Sequence, residues 1–153
     1  MRILFVCTGN TCRSPMAEMY FNFRANQERF DTYADSAGIF AIDGIKISEN
    51  AKKVLHYYGI PLNSSFQSKS IKPIDIKDSK FIFTMENFQA QFLKNQFKPY
   101  KEKIFVLPQF VGINDEILDP FNDSVNAYFK IFEKIRKYIN LLLERREVLN
   151  ETS

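Results

Sequence analysis

Four short runs along the chain read as strands: Arg2–Val6, Thr32–Ser36, Lys80–Met85 and Lys103–Leu107. The first, third and fourth are apolar at nearly every position rather than at alternate ones, as in strands covered on both faces. Between them the apolar residues switch to helical spacing. Met16, Met19, Tyr20 and Phe23 predict a helix with Pro15 in its first turn. Ala51, Val54, Leu55 and Tyr58 predict a second, capped by Ser48 and ended by Gly59-Ile60-Pro61. Phe88, Phe92 and Leu93 predict a third. The longest stripe is Val125, Tyr128, Phe129, Phe132, Ile135, Ile139 and Leu142, with Asp123 or Ser124 placed to cap its start. The polar stretch Asn63–Lys80 reads as a surface loop holding a short helix.

Strands alternating with helices predict an α/β fold, a parallel sheet with helices on both faces. At 153 residues, with no linker, repeat or low-complexity tract, the chain is expected to form one domain, 1–153. Sixteen Phe and no Trp predict a Phe-rich core. A net charge of +3 allows an anionic substrate without implying nucleic acid. The basic residues of the last helix, Lys130, Lys134, Arg136, Lys137, Arg145 and Arg146, are interleaved with Glu133, Glu144 and Glu147, as on a solvated face. No apolar run approaches membrane-spanning length, so no membrane partner is expected. The N-terminal RILFV lacks a signal-peptide layout, which points to the cytoplasm, where thiols stay reduced.

Ligands of open α/β sheets sit beyond the carboxyl ends of the strands. That rule singles out Cys7–Arg13, Ser36-Ala37-Gly38, Glu86-Asn87 and Pro108–Pro120. The first holds both cysteines of the chain in CTGNTCRSP, Cys7 to Pro15. A turn from a buried strand into a helix N-terminus presents unpaired N–H groups and a dipole that attract anions. Gly9 and Asn10 tolerate the positive φ angles that let such a loop curl into a nest of N–H groups. Arg13 adds a permanently charged fork that suits phosphate oxygens. A helix N-terminus and a neighbouring cation also favour the thiolate form of a thiol. Cys7 at the floor of an anion cradle is therefore laid out for attack on phosphorus. A leaving-group acid is also needed, and Asp119 of ILDPF is the candidate. There is no G-x-x-x-x-G-K-[ST] for a nucleoside triphosphate.

At these residues the sequence resembles the low-molecular-weight protein tyrosine phosphatases along nearly its whole length. VCTGNTCRSPMAE matches that family's phosphate-loop signature, ADSAG its second-strand signature and LDPF its acid loop. The resemblance implies a three-layer fold with strand order 2-1-3-4 and the phosphate loop between strand 1 and helix 1. It implies Cys7 as nucleophile, forming a cysteinyl-phosphate, Arg13 as phosphate and transition-state binder, and Asp119 as acid and then base. Backbone amides from Thr8 to Arg13 would bind phosphate oxygens, drawing in Gly9, Asn10, Thr11 and Cys12. Asn10 would hold the loop through Ser14 and Ser36, and Ser14 would also support the thiolate. Cys12 would form a reversible disulfide that shields Cys7 from over-oxidation. Phe40 and Phe121 would be pocket walls. No metal and no cofactor are implied. The implied partners are a phosphorylated protein and inorganic phosphate, and the chain is expected to be a monomer. Apart from the resemblance, Phe40 and Phe66, if exposed near the pocket, would form a docking patch for protein substrate or a weak dimer contact.

The sequence departs from the pattern at several places. NSSFQSKS lacks the usual histidine, and Asn122 stands where many members have a second tyrosine after Asp-Pro. Thr11 replaces the Ile or Leu common in tyrosine-specific members and matches the members resembling bacterial protein arginine phosphatases. The resemblance to the family as a whole makes phosphotyrosine the primary expected substrate, and Thr11 makes phosphoarginine the alternative. An arsenate reductase would need cysteines later in the chain, and a Cys-His hydrolase a histidine better placed than His56. A non-enzymatic phosphate-binding module would not need Cys7, Arg13 and Asp119 together.

Overall fold

The computed structural model describes residues 1–120 and 123–151. Its strands are β1 (Arg2–Cys7), β2 (Tyr33–Gly38), β3 (Phe81–Thr84) and β4 (Ile104–Val106), all parallel and ordered β2-β1-β3-β4. Helices α1 (Arg13–Gln27), α2 (Glu49–Tyr57), α3 (Pro73–Asp78), α4 (Asn87–Gln96), α5 (Leu107–Phe110), α6 (Val125–Glu144) and α7 (Arg146–Glu151) surround it. The strand order expected from the resemblance is the one observed. None of the helices among the described residues is long and apolar enough to cross a membrane.

The near-continuous apolar runs fill both sides of the sheet. Ile3 and Phe5 of β1 and Phe81 and Phe83 of β3 face α1, α2 and α6, while Leu4, Val6 and Ile82 face α3 and α4. The Phe-rich core lies on the first side, where Phe83 stacks on Phe81 and meets Phe5, Phe105 and Phe110 at centroid distances of 5.0–6.3 Å. Burying each such ring contributes roughly 2–3 kcal/mol, enough to make the carboxyl end of β1 a rigid platform for the loop that leaves it.

The helix stripes hold with local corrections. Ser48 caps α2, its hydroxyl accepting from the Ala51 N–H at 3.2 Å. Ser124 occupies the cap position of α6 without a side-chain hydrogen bond. In α4 the buried positions are Gln89, Ala90 and Leu93, not the expected Phe88 and Phe92. Phe88 is exposed, because the polar Gln89 turns inward to cap the end of β3. The stretch 63–80 does contain a short helix, α3, but it is also tied to the sheet. Gly38 donates to the Lys69 carbonyl and accepts from the Ile71 N–H, each at 2.9 Å. That pairing extends β2 to Gly38, so Ser36-Ala37-Gly38 end the strand rather than succeed it.

Candidate active site

β1 delivers Cys7 to the sheet edge, and α1 begins six residues later at Arg13. Cys12 occupies the N-cap with no side-chain cap, so the first N–H groups of α1 remain for an anion. Around the loop, the Cys7, Thr8 and Thr11 carbonyls accept from Ile39, Phe40 and Ser48 at 2.8–3.0 Å. Because a trans peptide sets N–H opposite C=O, outward-facing oxygens turn the Thr8, Gly9 and Cys12 N–H groups to the inside of the loop. Asn10 makes the reversal with φ 58. Gly9 does not share it, against expectation: only Asn10 in this loop has a positive φ.

A fixed scaffold holds this curl from outside. Cys7 pairs with Gly38 across β1 and β2. A Cβ on Gly38 would lie 2.4 Å from the Thr8 carbonyl oxygen and 3.1 Å from the Asn10 nitrogen, so ADSAG ends in glycine to let the loop backbone pass over it. Asn10, fully buried, uses its whole amide. Its Nδ2 donates to Ser14 and Ser36, each at 2.9 Å, and its Oδ1 accepts from the Lys69 N–H at 2.9 Å. Lys69 is itself anchored by Asp35 at 2.6 Å, and Asp35 and Asp75 also hold Arg2.

Cys7 is buried, with Ser14 Oγ 2.9 Å and the Asn10 N–H 3.3 Å from its sulfur. Since Ser14 accepts from Asn10, its one proton is left to point at Cys7. Arg13 Nη1 donates to Glu86 Oε2 at 2.5 Å and to the Ile117 carbonyl at 2.9 Å, which fixes the plane of the guanidinium. Burial opposes its charge, but Cys7, Glu86 and Asp119 outweigh burial and hold Arg13 above its ordinary value. Asp119 Oδ2 stands 3.9 Å from Arg13 Nη2, half-exposed at the rim. Ile117 pins this acid loop from both sides, donating its N–H to the Met85 carbonyl while its own carbonyl receives Arg13.

Thr11, Cys12 and Phe40 complete the surroundings. Thr11 is half-buried, between the inward Asn10 and Cys12. Cys12 is buried and pushed up, first by burial and then by neighbouring Cys7, which keeps it a neutral thiol. Phe40 is exposed and packs edge-to-face on Phe92 at 5.0 Å. Phe66 does not join it: half-buried, it packs against the core on the α1 side. Phe121, the other expected wall, lies outside the described residues. His56 is exposed on α2. Sequence reasoning did not assign Glu86, Gln89, Ile117 or Lys69, whose contacts are non-local. Glu86 and Ile117 carried only a positional signal, their places in the segments beyond the third and fourth strands. Gln89 joins Thr8 Oγ1 at 3.1 Å to the backbone ending β3.

A parallel sheet whose first strand sets a cysteine beneath an anion-cradling loop, with a fixed arginine and a carboxylate above it, defines a cysteine-dependent phosphatase. The sequence model of the low molecular weight phosphotyrosine protein phosphatases matches residues 2–152, and the chain belongs to that family. It is 33% identical over 146 residues to a protein-arginine-phosphatase of Bacillus subtilis, covering 95% of this chain and 96% of the relative. It is 35% identical over 142 residues to the low molecular weight protein-tyrosine-phosphatase PtpB of Staphylococcus haemolyticus, covering 93% and 97%. Among solved structures it matches a cysteine-to-serine variant of the YwlE arginine phosphatase with a phosphorylated active-site serine. That match has a TM-score of 0.92 at 32% identity and covers 96% of each chain.

Proposed function

We propose that this phosphatase dephosphorylates protein side chains through a cysteinyl-phosphate on Cys7. The observation that carries the reading is the Cys7 sulfur held by Ser14 and Asn10 beneath a loop whose N–H groups turn inward, with Arg13 at its edge. Cys7 attacks phosphorus, and the bond to the leaving oxygen breaks as Asp119 protonates it. Arg13 and the loop amides carry the charge that grows on the equatorial oxygens, so no metal ion is required. Water, losing its proton to Asp119, then attacks the phosphocysteine and releases inorganic phosphate. Cys12, as a neutral thiol beside Cys7, is a resolving partner and not a second nucleophile.

Phosphotyrosine is the substrate this reading puts first: Phe40, whose N–H holds the Thr8 carbonyl of the loop and whose ring is exposed, is the wall we assign to a phenyl group. Thr11 favours a second reading, phosphoarginine. A hydroxyl in the loop suits a planar, hydrophilic phosphoguanidinium, and the arginine-phosphatase relatives support it. The deciding experiment measures kcat/KM on phosphotyrosine and phosphoarginine peptides for the wild type, Thr11→Ile and Cys7→Ser. Cys7→Ser should turn over neither. A phosphoarginine preference that Thr11→Ile reverses would replace the first reading with the second, and normal turnover by Cys7→Ser would sink both.

A further inference from the structure

Behind the loop, a chain of hydrogen bonds runs from Cys7 to a carboxyl group that the proposed chemistry does not use. Cys7 meets Ser14 at 2.9 Å, Ser14 meets Asn10 at 2.9 Å, Asn10 meets Ser36 at 2.9 Å, and the Ser36 hydroxyl donates to Glu18 Oε1 at 2.7 Å. Every member is buried, Glu18 with 6% exposure. Glu18 sits on α1 one turn beyond Ser14 and belongs to the same stretch, CRSPMAE, that carries the loop's signature.

Counting protons gives the chain a direction. Asn10 has two amide protons, one for Ser14 and one for Ser36. Ser36 has one, and an ionised Glu18 takes it, leaving the Ser36 oxygen as an acceptor for Asn10. Asn10 then saturates an acceptor site on Ser14, whose single proton goes to Cys7. When Glu18 is neutral it accepts more weakly, or donates to Ser36 and displaces that proton, and the alignment loosens at its far end. We propose that Glu18 is a positioning residue: its carboxylate, acting through Ser36 and Asn10, keeps the Ser14 proton on Cys7. This rests on the reading of Cys7 as nucleophile.

The carboxyl group is placed to change charge under ordinary conditions. Burial pushes it up to about 7, the Asp35 carboxylate on β2 pushes the same way, and the Ser36 hydroxyl and the Lys69 ammonium from segment 63–72 oppose them. From the phosphate loop, Asn10 and, beyond it, Cys7 face it through Ser36. Protons have a route in, because Glu18 also lines a groove of about 530 Å³ walled by Met19, Phe23, Phe30, Pro61 and Leu62, away from the phosphate loop. The loop would thus be set from the back of α1, with no group entering the pocket.

The test is an NMR titration of the wild-type chain between pH 5.5 and 8.5, tracking the Glu18 carboxyl carbon and the Asn10 side-chain amide. Both should move with one midpoint near neutrality, and in Ser36→Ala the Asn10 signals should stop responding to Glu18. In parallel, the ratio of kcat/KM for wild type over Glu18→Gln on p-nitrophenyl phosphate should rise about fivefold from pH 6 to pH 8, the gain expected when a neutral hydrogen-bond acceptor becomes charged. A merely structural glutamate would give a constant ratio. Asn10 signals that ignore the Glu18 midpoint, or a constant ratio, would overturn the proposal. Failure to hydrolyse any phosphorylated substrate would count against the phosphatase reading, while the titration would still decide the relay.

Discussion

Removing the Asn10 side chain is the sharpest test of how the phosphate loop is held. Asn10 is fully buried and makes three side-chain hydrogen bonds, to Ser14, Ser36 and the Lys69 N–H. Each intramolecular hydrogen bond contributes about 1 kcal/mol net, and the Lys69 N–H would be left without its acceptor, so their loss costs at least about 3 kcal/mol. The backbone adds a further cost. Asn10 sits at φ 58, a conformation Asn accepts more readily than Ala, so Asn10→Ala incurs roughly another 1 kcal/mol. The expected total of about 4 kcal/mol is a large fraction of the ~5–15 kcal/mol that holds a domain folded.

Urea denaturation monitored by circular dichroism reads this directly, with unchanged m showing that the unfolded reference has not moved. Asn10→Gly separates the two contributions. It loses the same hydrogen bonds but tolerates the positive φ, so it should be less destabilised than Asn10→Ala, by up to about 1 kcal/mol. Both variants should also lose most of their turnover, since Ser14 is then free to direct its proton away from Cys7. A loss below about 1.5 kcal/mol in both variants would refute the reasoning, because the loop would then be held by its backbone contacts to Ile39, Phe40 and Ser48 alone.

The same geometry makes three further perturbations informative. Gly38→Ala places a methyl group 2.4 Å from the Thr8 carbonyl oxygen, so the loop must shift; kcat should fall at least tenfold while the chain stays folded, and unchanged kcat would refute the close approach. Mild peroxide should give a Cys7–Cys12 disulfide that reductant reverses, read by mass spectrometry; Cys7 sulfonic acid with Cys12 untouched would reject the resolving role. Glu18, raised to about 7 from an ordinary glutamate value of 4.5, stabilises the fold fully only below the unfolded value, and that contribution is lost as pH rises through 7. Relative to Glu18→Gln, wild-type stability should therefore drop by about 3 kcal/mol between pH 4.5 and pH 8, and a pH-independent difference would contradict it.

The hydrophobic pattern located β1, β3 and β4 within one residue, because a strand buried on both faces must be apolar throughout and few other segments are; β2, the polar YADSAG at the edge of the sheet, was placed within two residues without that signal. The pattern misread α4, where Phe88 and Phe92 gave the stripe but Gln89 occupies the buried face. No propensity signals that choice; the inward turn of Gln89 is decided by the backbone N–H groups of Met85 and Glu86, which its side chain satisfies. The loop residues Cys7, Asn10, Arg13 and Ser14 were legible because they fall in one continuous stretch. Glu86, Ile117 and Lys69 were not, since each reaches the site from a segment at least 59 residues away.

The two signatures, CTGNTCRSP and ADSAG, are far apart in sequence and turn out to be the two halves of one contact. β1 and β2 are neighbours in register, so Cys7 lies beside Gly38 and Phe5 beside Ser36. That register puts the Ser36 hydroxyl under the Asn10 amide and removes any side chain from Gly38, where the loop backbone crosses. A one-residue slip of β2 would place Ala37 under the crossing and turn Ser36 to the opposite face. The curl of the phosphate loop is therefore specified partly by the pairing of the two strands, not by the loop alone. This explains why two short polar residues, Asn10 and Ser36, can be buried at the centre of an apolar sheet edge: each is a hydrogen-bond partner of the other, and Ser14, Lys69 and Glu18 take up the rest of their bonding capacity.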